Sequence, residues 1–180
     1  MILGVVLAGG RSSRFGSDKA LARLDGRSLL SRAVEALSAW CDQVAIAGRE
    51  SGPETGDTPC IPDWPRPDMG PLGGIAAALR HGAQHNFTSV MTCGVDSAEL
   101  PENLLESLSP APAYLESQPV IGHWRADAAS TVEAILQSEG RHSMLAFARA
   151  TNARAVKLAS KPANINTQAD LAAVENRNGI

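Results

Sequence analysis

The segment Leu7-Ala8-Gly9-Gly10-Arg11-Ser12-Ser13-Arg14-Phe15-Gly16-Ser17-Asp18-Lys19 combines the two ingredients of a polyphosphate grip. Gly9 and Gly10 let backbone N–H groups meet an anion with no Cβ in the way. Arg11, Arg14 and Lys19 bring positive charge to the same stretch. The segment lacks the Gly-Lys pair of a P-loop and the glycine spacing of a dinucleotide-binding turn, so it is a phosphate loop of another kind. It follows the apolar run Ile2-Leu3-Gly4-Val5-Val6, which reads as a buried strand. Glycines at the carboxyl end of a strand lie where open α/β sheets take ligands, although a basic loop after an edge strand has the same local composition.

Asp96 follows a second apolar run, Val90-Met91-Thr92-Cys93. If the two runs are parallel strands, Asp96 shares a sheet edge with the glycines, where a carboxylate can hold Mg²⁺ against phosphate oxygens. Alone, the Asp96-Ser97 pair also suits an ordinary turn. Asp63, before Trp64-Pro65, reads locally as a turn acid. His81 and His85 stand at helical spacing but lack the glutamate of H-E-x-x-H, which favours an exposed helix end over a metal site. Trp40, Trp64 and Trp124 are scattered and read as packing residues, with Trp64 notable as the neighbour of Asp63. Cys41, Cys60 and Cys93 are odd in number and widely spaced, as reduced core or loop cysteines are.

The elements that must position these groups alternate between strand and helix, which predicts a largely parallel sheet covered by helices. Residues 28–40 carry Leu29, Leu30, Ala33, Val34 and Leu37 on one helical face. Strands are expected at 44–47, 60–61, 89–93, 114–116, 119–124 and 155–158. Helices are expected at 73–85, 101–108, 128–137, 143–150 and 168–176, the last capped by Asn166-Thr167. The three prolines between Asp63 and Pro71 exclude regular structure there. With 180 residues and no linker, repeat or low-complexity tract, residues 1–180 form one domain.

These blocks together resemble the molybdenum cofactor guanylyltransferases, also called the molybdopterin-guanine dinucleotide biosynthesis protein A family. The first segment is similar to the family signature L-A-G-G-x-S-x-R-M-G-x-D-K. The resemblance recurs in family order at Gly70-Pro71-Leu72-Gly73-Gly74-Ile75, Asp96, Glu139-Gly140-Arg141 and Asn164-Ile165-Asn166-Thr167. It implies a three-layer, Rossmann-like nucleotide-diphospho-sugar transferase fold of the glycosyltransferase-A type. It also implies Mg²⁺-dependent transfer of GMP from GTP to the terminal phosphate of molybdopterin, with release of pyrophosphate. Lys19, Arg14 and Asp96 are then the catalytic residues, and Asp96 the metal ligand. Leu7, Ala8, Gly9, Gly10, Lys19, Asp63, Gly70, Pro71, Leu72 and Asp96 are expected to bind the nucleotide, and Arg141, Asn164 and Asn166 the acceptor.

The chain departs from the family pattern at several positions. Ala47 replaces a base-contacting asparagine, which shifts base recognition to Asp63, backbone groups or a neighbour such as Arg49. Ser97-Ala98 replaces Thr-Pro after the metal aspartate, Phe15 replaces Met, and Ser13 and His142 stand where the family often has arginine. Two rivals therefore accompany the guanylyltransferase reading: a cytidylyl- or other nucleotidyltransferase of the same fold, and a catalytically reduced protein that binds and delivers the cofactor. Transient contact with molybdoenzymes or their chaperones is expected. The net charge of −3 argues against a nucleic-acid surface, and no apolar run has membrane-spanning length. The start Met1-Ile2-Leu3-Gly4 has no basic leader, so a cytoplasmic setting is expected.

Overall fold

The computed structural model describes residues 1–10, 17–159 and 162–178. The chain begins with β1 (Ile2–Leu7), and a short 3-10 turn, Lys19–Leu21, leads into the hairpin β2 (Arg23–Leu24) and β3 (Arg27–Ser28). Next come α1 (Leu29–Ser38), β4 (Gln43–Ala47), β5 (Cys60–Ile61), α2 (Gly70–Gln84), β6 (Ser89–Gly94), β7 (Ser97–Ala98) and α3 (Leu104–Ser107). The second half runs β8 (Ala113–Leu115), β9 (Gln118–Arg125), α4 (Ala129–Gln137), α5 (Met144–Ala150), β10 (Arg154–Val156), β11 (Ala163–Asn164) and α6 (Gln168–Asn178).

The main sheet has the order β10-β8-β9-β6-β1-β4-β5. β1 lies in its middle, parallel to both β4 and β6, with Leu7 in register with Ala47 on one side and Gly94 on the other. All three strands therefore end together, and the loops that leave them share one edge. β9 is antiparallel to β6 and β8, so the sheet is mixed but mostly parallel. Alternation along β1 divides its apolar side chains between the two faces. Leu3 and Val5 pack with α2, Trp124 and Phe147, while Val6 packs with α1, Met91 and Leu108. Helices on both faces give the three-layer α/β architecture. A smaller cluster, Leu24, Leu29, Ile165, Leu171 and Val174, seats α6 against the β2–β3 hairpin.

Several boundaries differ from those the pattern predicts. α2 starts at Gly70 rather than at residue 73, because Pro71 has no N–H to lose and suits the first helical turn. The stretch 101–108 yields only Leu104–Ser107 as helix, with its first turn closed by the Leu104 N–H on the Pro101 carbonyl. The last strand of the main sheet stops at Val156. The two-residue strands β2, β3, β7 and β11 had no sequence signature, since periodicity cannot register over two positions.

Candidate active site

A cleft of about 410 Å³ opens where β1, β4 and β6 end. Leu7, Gly9, Gly10 and Ala47 line its floor, Gly70, Pro71 and Gly74 one wall, and Val95, Asp96 and Val120 another. Ala8 secures the floor, since its N–H donates to the Ala47 carbonyl at 2.9 Å. Leu72 points the other way and is fully buried beneath the cleft. Arg11 and Arg14 lie outside the described residues.

Asp63 stands at one end of the cleft, held by close approach of three backbone segments. Gly48 has φ +78°, and a Cβ there would fall 2.7 Å from the Gly9 Cα and 2.9 Å from Asp63 Oδ1. A Cβ on Gly9 would meet Asp63 Oδ2 at 3.3 Å, and one on Gly74 would meet Oδ1 at 3.6 Å. Gly48 is thus the position at which a side chain would displace this carboxylate, while the contact at Gly9 would be tight and that at Gly74 ordinary. Burial, reinforced by the nearby Asp68 carboxylate, raises the Asp63 pKa above the ordinary aspartate value. A partly desolvated acceptor of this kind has much to gain from a ligand that brings paired N–H donors. Trp64 follows, with its N–H on the Gly73 carbonyl and the Arg80 guanidinium 4.1 Å from its ring centroid. Trp64 is thus a packing residue beside the site.

Lys19, Asp96 and Asn166 meet at the other end. The Lys19 ammonium is 3.4 Å from Asp96 Oδ2 and donates to Asn166 Oδ1 at 3.2 Å. Asp18 shapes the turn that presents Lys19. Its Oδ1 accepts from the Ala20 N–H, and its other oxygen pairs with the Arg49 guanidinium. Arg49 also reaches Glu54, at 3.4 Å. That double engagement commits Arg49 to carboxylates of the protein rather than to a base.

The arrangement beyond Asn166 revises its expected role as a helix cap. Thr167 Oγ1 accepts from the Asp170 N–H, while the Asp170 carboxylate accepts from the N–H groups of both Asn166 and Thr167. This reciprocal capping box starts α6 at Gln168 and leaves the Asn166 amide side chain for Lys19. Those hydrogen bonds, the Asn166 backbone first, hold the Asp170 pKa below the ordinary range. Asn164 lies on β11 opposite Ser97 and is exposed. Arg141 is exposed in the connection between α4 and α5 and does not line the cleft. His81 and His85 stack at the end of α2, 4.1 Å between centroids, with His85 Nδ1 bonded to the His81 carbonyl.

Comparison with known proteins assigns this geometry to a family. Residues 4–159 match the model of the MobA-like NTP transferase domain. The chain belongs to the MobA-like NTP transferase family. A molybdenum cofactor guanylyltransferase of Acidiphilium cryptum is 34% identical over 95% of this chain and 92% of its own length. The molybdenum cofactor guanylyltransferase of Rhodobacter capsulatus is also 34% identical, over 98% and 96% of the two chains. Among solved structures, molybdopterin-guanine dinucleotide biosynthesis protein A from Archaeoglobus fulgidus superposes with a TM-score of 0.78 at 22% identity, covering 98% of each chain. That last likeness carries the fold.

For a MobA-like transferase the donor set at the Lys19 end fits Mg²⁺. Among the described residues no group of three or more His, Cys, Asp or Glu side chains could cage a metal ion. One carboxylate and one amide oxygen suit a hard cation that completes its shell with water and substrate phosphates, as Mg²⁺ does. Two cleft residues had no sequence signal of their own: Asp68, placed by a left-handed φ of 62°, and Val120, supplied by the antiparallel β9. Their approach depends on the topology of distant segments.

Proposed function

We propose that this chain transfers GMP from GTP to the terminal phosphate of molybdopterin, releasing pyrophosphate. The observation that carries the reading is the polarity of the cleft. A partly desolvated carboxylate, Asp63, stands at one end, an ammonium–carboxylate–amide cluster at the other, and a floor of Gly9 and Gly10 lies between them. Relatives matched over nearly their whole length carry the name molybdenum cofactor guanylyltransferase.

In this reading Asp63 accepts from the N1–H and 2-amino groups of guanine, and Gly9 and Gly10 admit the phosphates to the strand ends. Lys19 follows the charge that develops on the pyrophosphate oxygen as the bond to the α-phosphorus breaks. Asp96, with the Asn166 amide oxygen nearby, would hold Mg²⁺, which neutralises phosphate charge when bound. Arg14 assists at the phosphates. Arg141 and Asn164 contact the acceptor. The acceptor phosphate attacks the α-phosphorus in line, and catalysis rests on positioning and charge neutralisation, with no covalent enzyme intermediate.

Ala47 favours a second reading. It lines the cleft floor and offers no hydrogen-bonding side chain, which weakens the case for guanine over cytosine. Pyrophosphate release in the presence of molybdopterin, measured with GTP and with CTP, separates the two. Asp96→Asn should keep the fold and remove most turnover. Near-wild-type activity of that variant at limiting Mg²⁺ would show that Asp96 does not hold the metal.

A further inference from the structure

Asp96 and Asn166 come from distant parts of the chain, and neither belongs to the main sheet. Asp96 lies in the turn between β6 and β7, and Asn166 follows β11. What joins them directly is small: the two-residue pairing of β7 with β11, and the Ile165 N–H donating to the Asp96 carbonyl at 2.9 Å. Strand pairs this short have little stability of their own.

A buried side chain reinforces the joint. Gln118, the first residue of β9, is 8% exposed, and Ser97 beside it 5%. Gln118 Oε1 accepts from Ser97 Oγ at 3.2 Å, and Nε2 donates to the Pro162 carbonyl at 2.8 Å. The amide orientation is dictated by its partners, since a carbonyl can receive only from the NH₂ end. One side chain on the main sheet thus holds β7 and Pro162, the residue that leads into β11. Val120, two residues along β9, lines the cleft, whereas Gln118 does not, so the grip lies close to the site without entering it. The Ser97 hydroxyl accounts for a serine immediately after Asp96.

We propose that Gln118 and Ser97 are positioning residues: they clamp the C-terminal strand to the Asp96 turn and so set the spacing of the Lys19–Asp96–Asn166 cluster. The catalytic consequence rests on the guanylyltransferase reading, whereas the clamp itself does not. Loosening it lets Asp96 and Asn166 drift apart while Asp63 and the glycine floor stay in place. Misplacement of reacting groups by about an ångström costs roughly 10- to 100-fold in turnover.

The test uses the full chain with Gln118→Ala, Gln118→Glu, Ser97→Ala and Ser97→Thr. Gln118→Glu keeps shape and the acceptor for Ser97 but removes the donor to Pro162, and it serves if the alanine variant does not fold. Hydrogen exchange is read first, because it needs no substrate. Exchange across 162–167, the Ile165 amide above all, should accelerate in both Gln118 variants while β1 and β6 stay protected. Unchanged exchange there overturns the clamp. Kinetics follow with GTP and molybdopterin. The Gln118 variants should lose roughly 10- to 100-fold in kcat with little change in the KM for GTP. Ser97→Ala should fall between them and wild type, and Ser97→Thr should retain activity. In an Asn166→Ala background, Gln118→Ala should add little further loss. Full additivity there, or a fall in kcat that merely tracks thermal stability, refutes positioning. An inactive wild type would instead refute the guanylyltransferase reading and leave the exchange result standing.

Discussion

In the proposed reading, base choice turns on Asp63. Its carboxylate fits between Gly9, Gly48 and Gly74, and burial together with Asp68 makes its ionised form costly until a donor-bearing ligand arrives. A base without those donors leaves the carboxylate desolvated and unpaired, at a cost of about 1–3 kcal/mol, or roughly 5- to 150-fold in relative rate. Asp63→Ala should therefore lower the GTP/CTP ratio by harming GTP, as measured by competition at equal concentrations. A wild-type preference for CTP, or a ratio indifferent to Asp63, would overturn the guanine contact. The same residue links binding to stability. A raised carboxyl pKa means that the folded state binds a proton more tightly than the unfolded one, so stability declines as pH rises through that window. At neutral pH without nucleotide, Asp63→Asn should then unfold at a higher temperature than wild type. A lower midpoint would mean that the carboxylate is already compensated.

At the scale of elements, the cleft depends on three strand ends meeting with no side chains in between. Gly48, directly after β4, shows the constraint best: its φ is +78°, and a Cβ there would fall 2.7 Å from the Gly9 Cα. Gly48→Ala should cost about 1–3 kcal/mol in urea unfolding, from backbone strain and forced separation of the β1 and β4 ends. It should also weaken GTP binding, because Gly9 and Asp63, the proposed nucleotide contacts, would be displaced. Equal stability of variant and wild type would show that this edge can relax. The other end is built differently, from a capped helix and a two-stranded ribbon held by Gln118. One end of the site is rigid by close packing, the other by hydrogen bonds.

For the molecule as a whole, the sheet carries a buried imidazole that the proposed chemistry does not use. His123 on β9 is 6% exposed, with Nε2 bonded to Ser89 Oγ at 2.8 Å. Burial lowers its pKa below the ordinary 6.5, only partly offset by the backbone of Leu108. The folded state thus holds the neutral ring, and its stabilising contribution, complete above pH 6.5, is lost as pH falls through the folded pKa. The thermal midpoint of wild type should drop from about pH 7 to about pH 5 more steeply than that of His123→Gln. Parallel profiles would assign the acid sensitivity to other groups. Burial raises the thiol pKa at Cys41 to about 12 and also at Cys93, so both are unreactive near neutral pH.

The sheet edge where the cleft opens was legible in the sequence, because strand period, terminal glycines and a following acid are local signals. The body of β1 through Val6, β6 ending before Asp96 and the α1 face of Leu30, Ala33 and Leu37 all follow from spacing within one segment. The starts of α1 at Ser28 and α6 at Thr167 follow likewise, since a cap is chosen by residues three apart. Other features needed the folded chain. By local pattern Asn166 reads as a cap, and only the arrival of Lys19 from the other end of the chain shows its amide oxygen accepting from that ammonium. Arg49 reads as an available cation until Asp18 and Glu54 are placed beside it. Ser97 and Gln118 have no periodic or motif signal, because their partners lie on separate strands and become neighbours only through sheet order. Local propensity and pattern are properties of a segment, whereas which side chains neutralise, bury or hold one another depends on contacts that form only when distant segments pack.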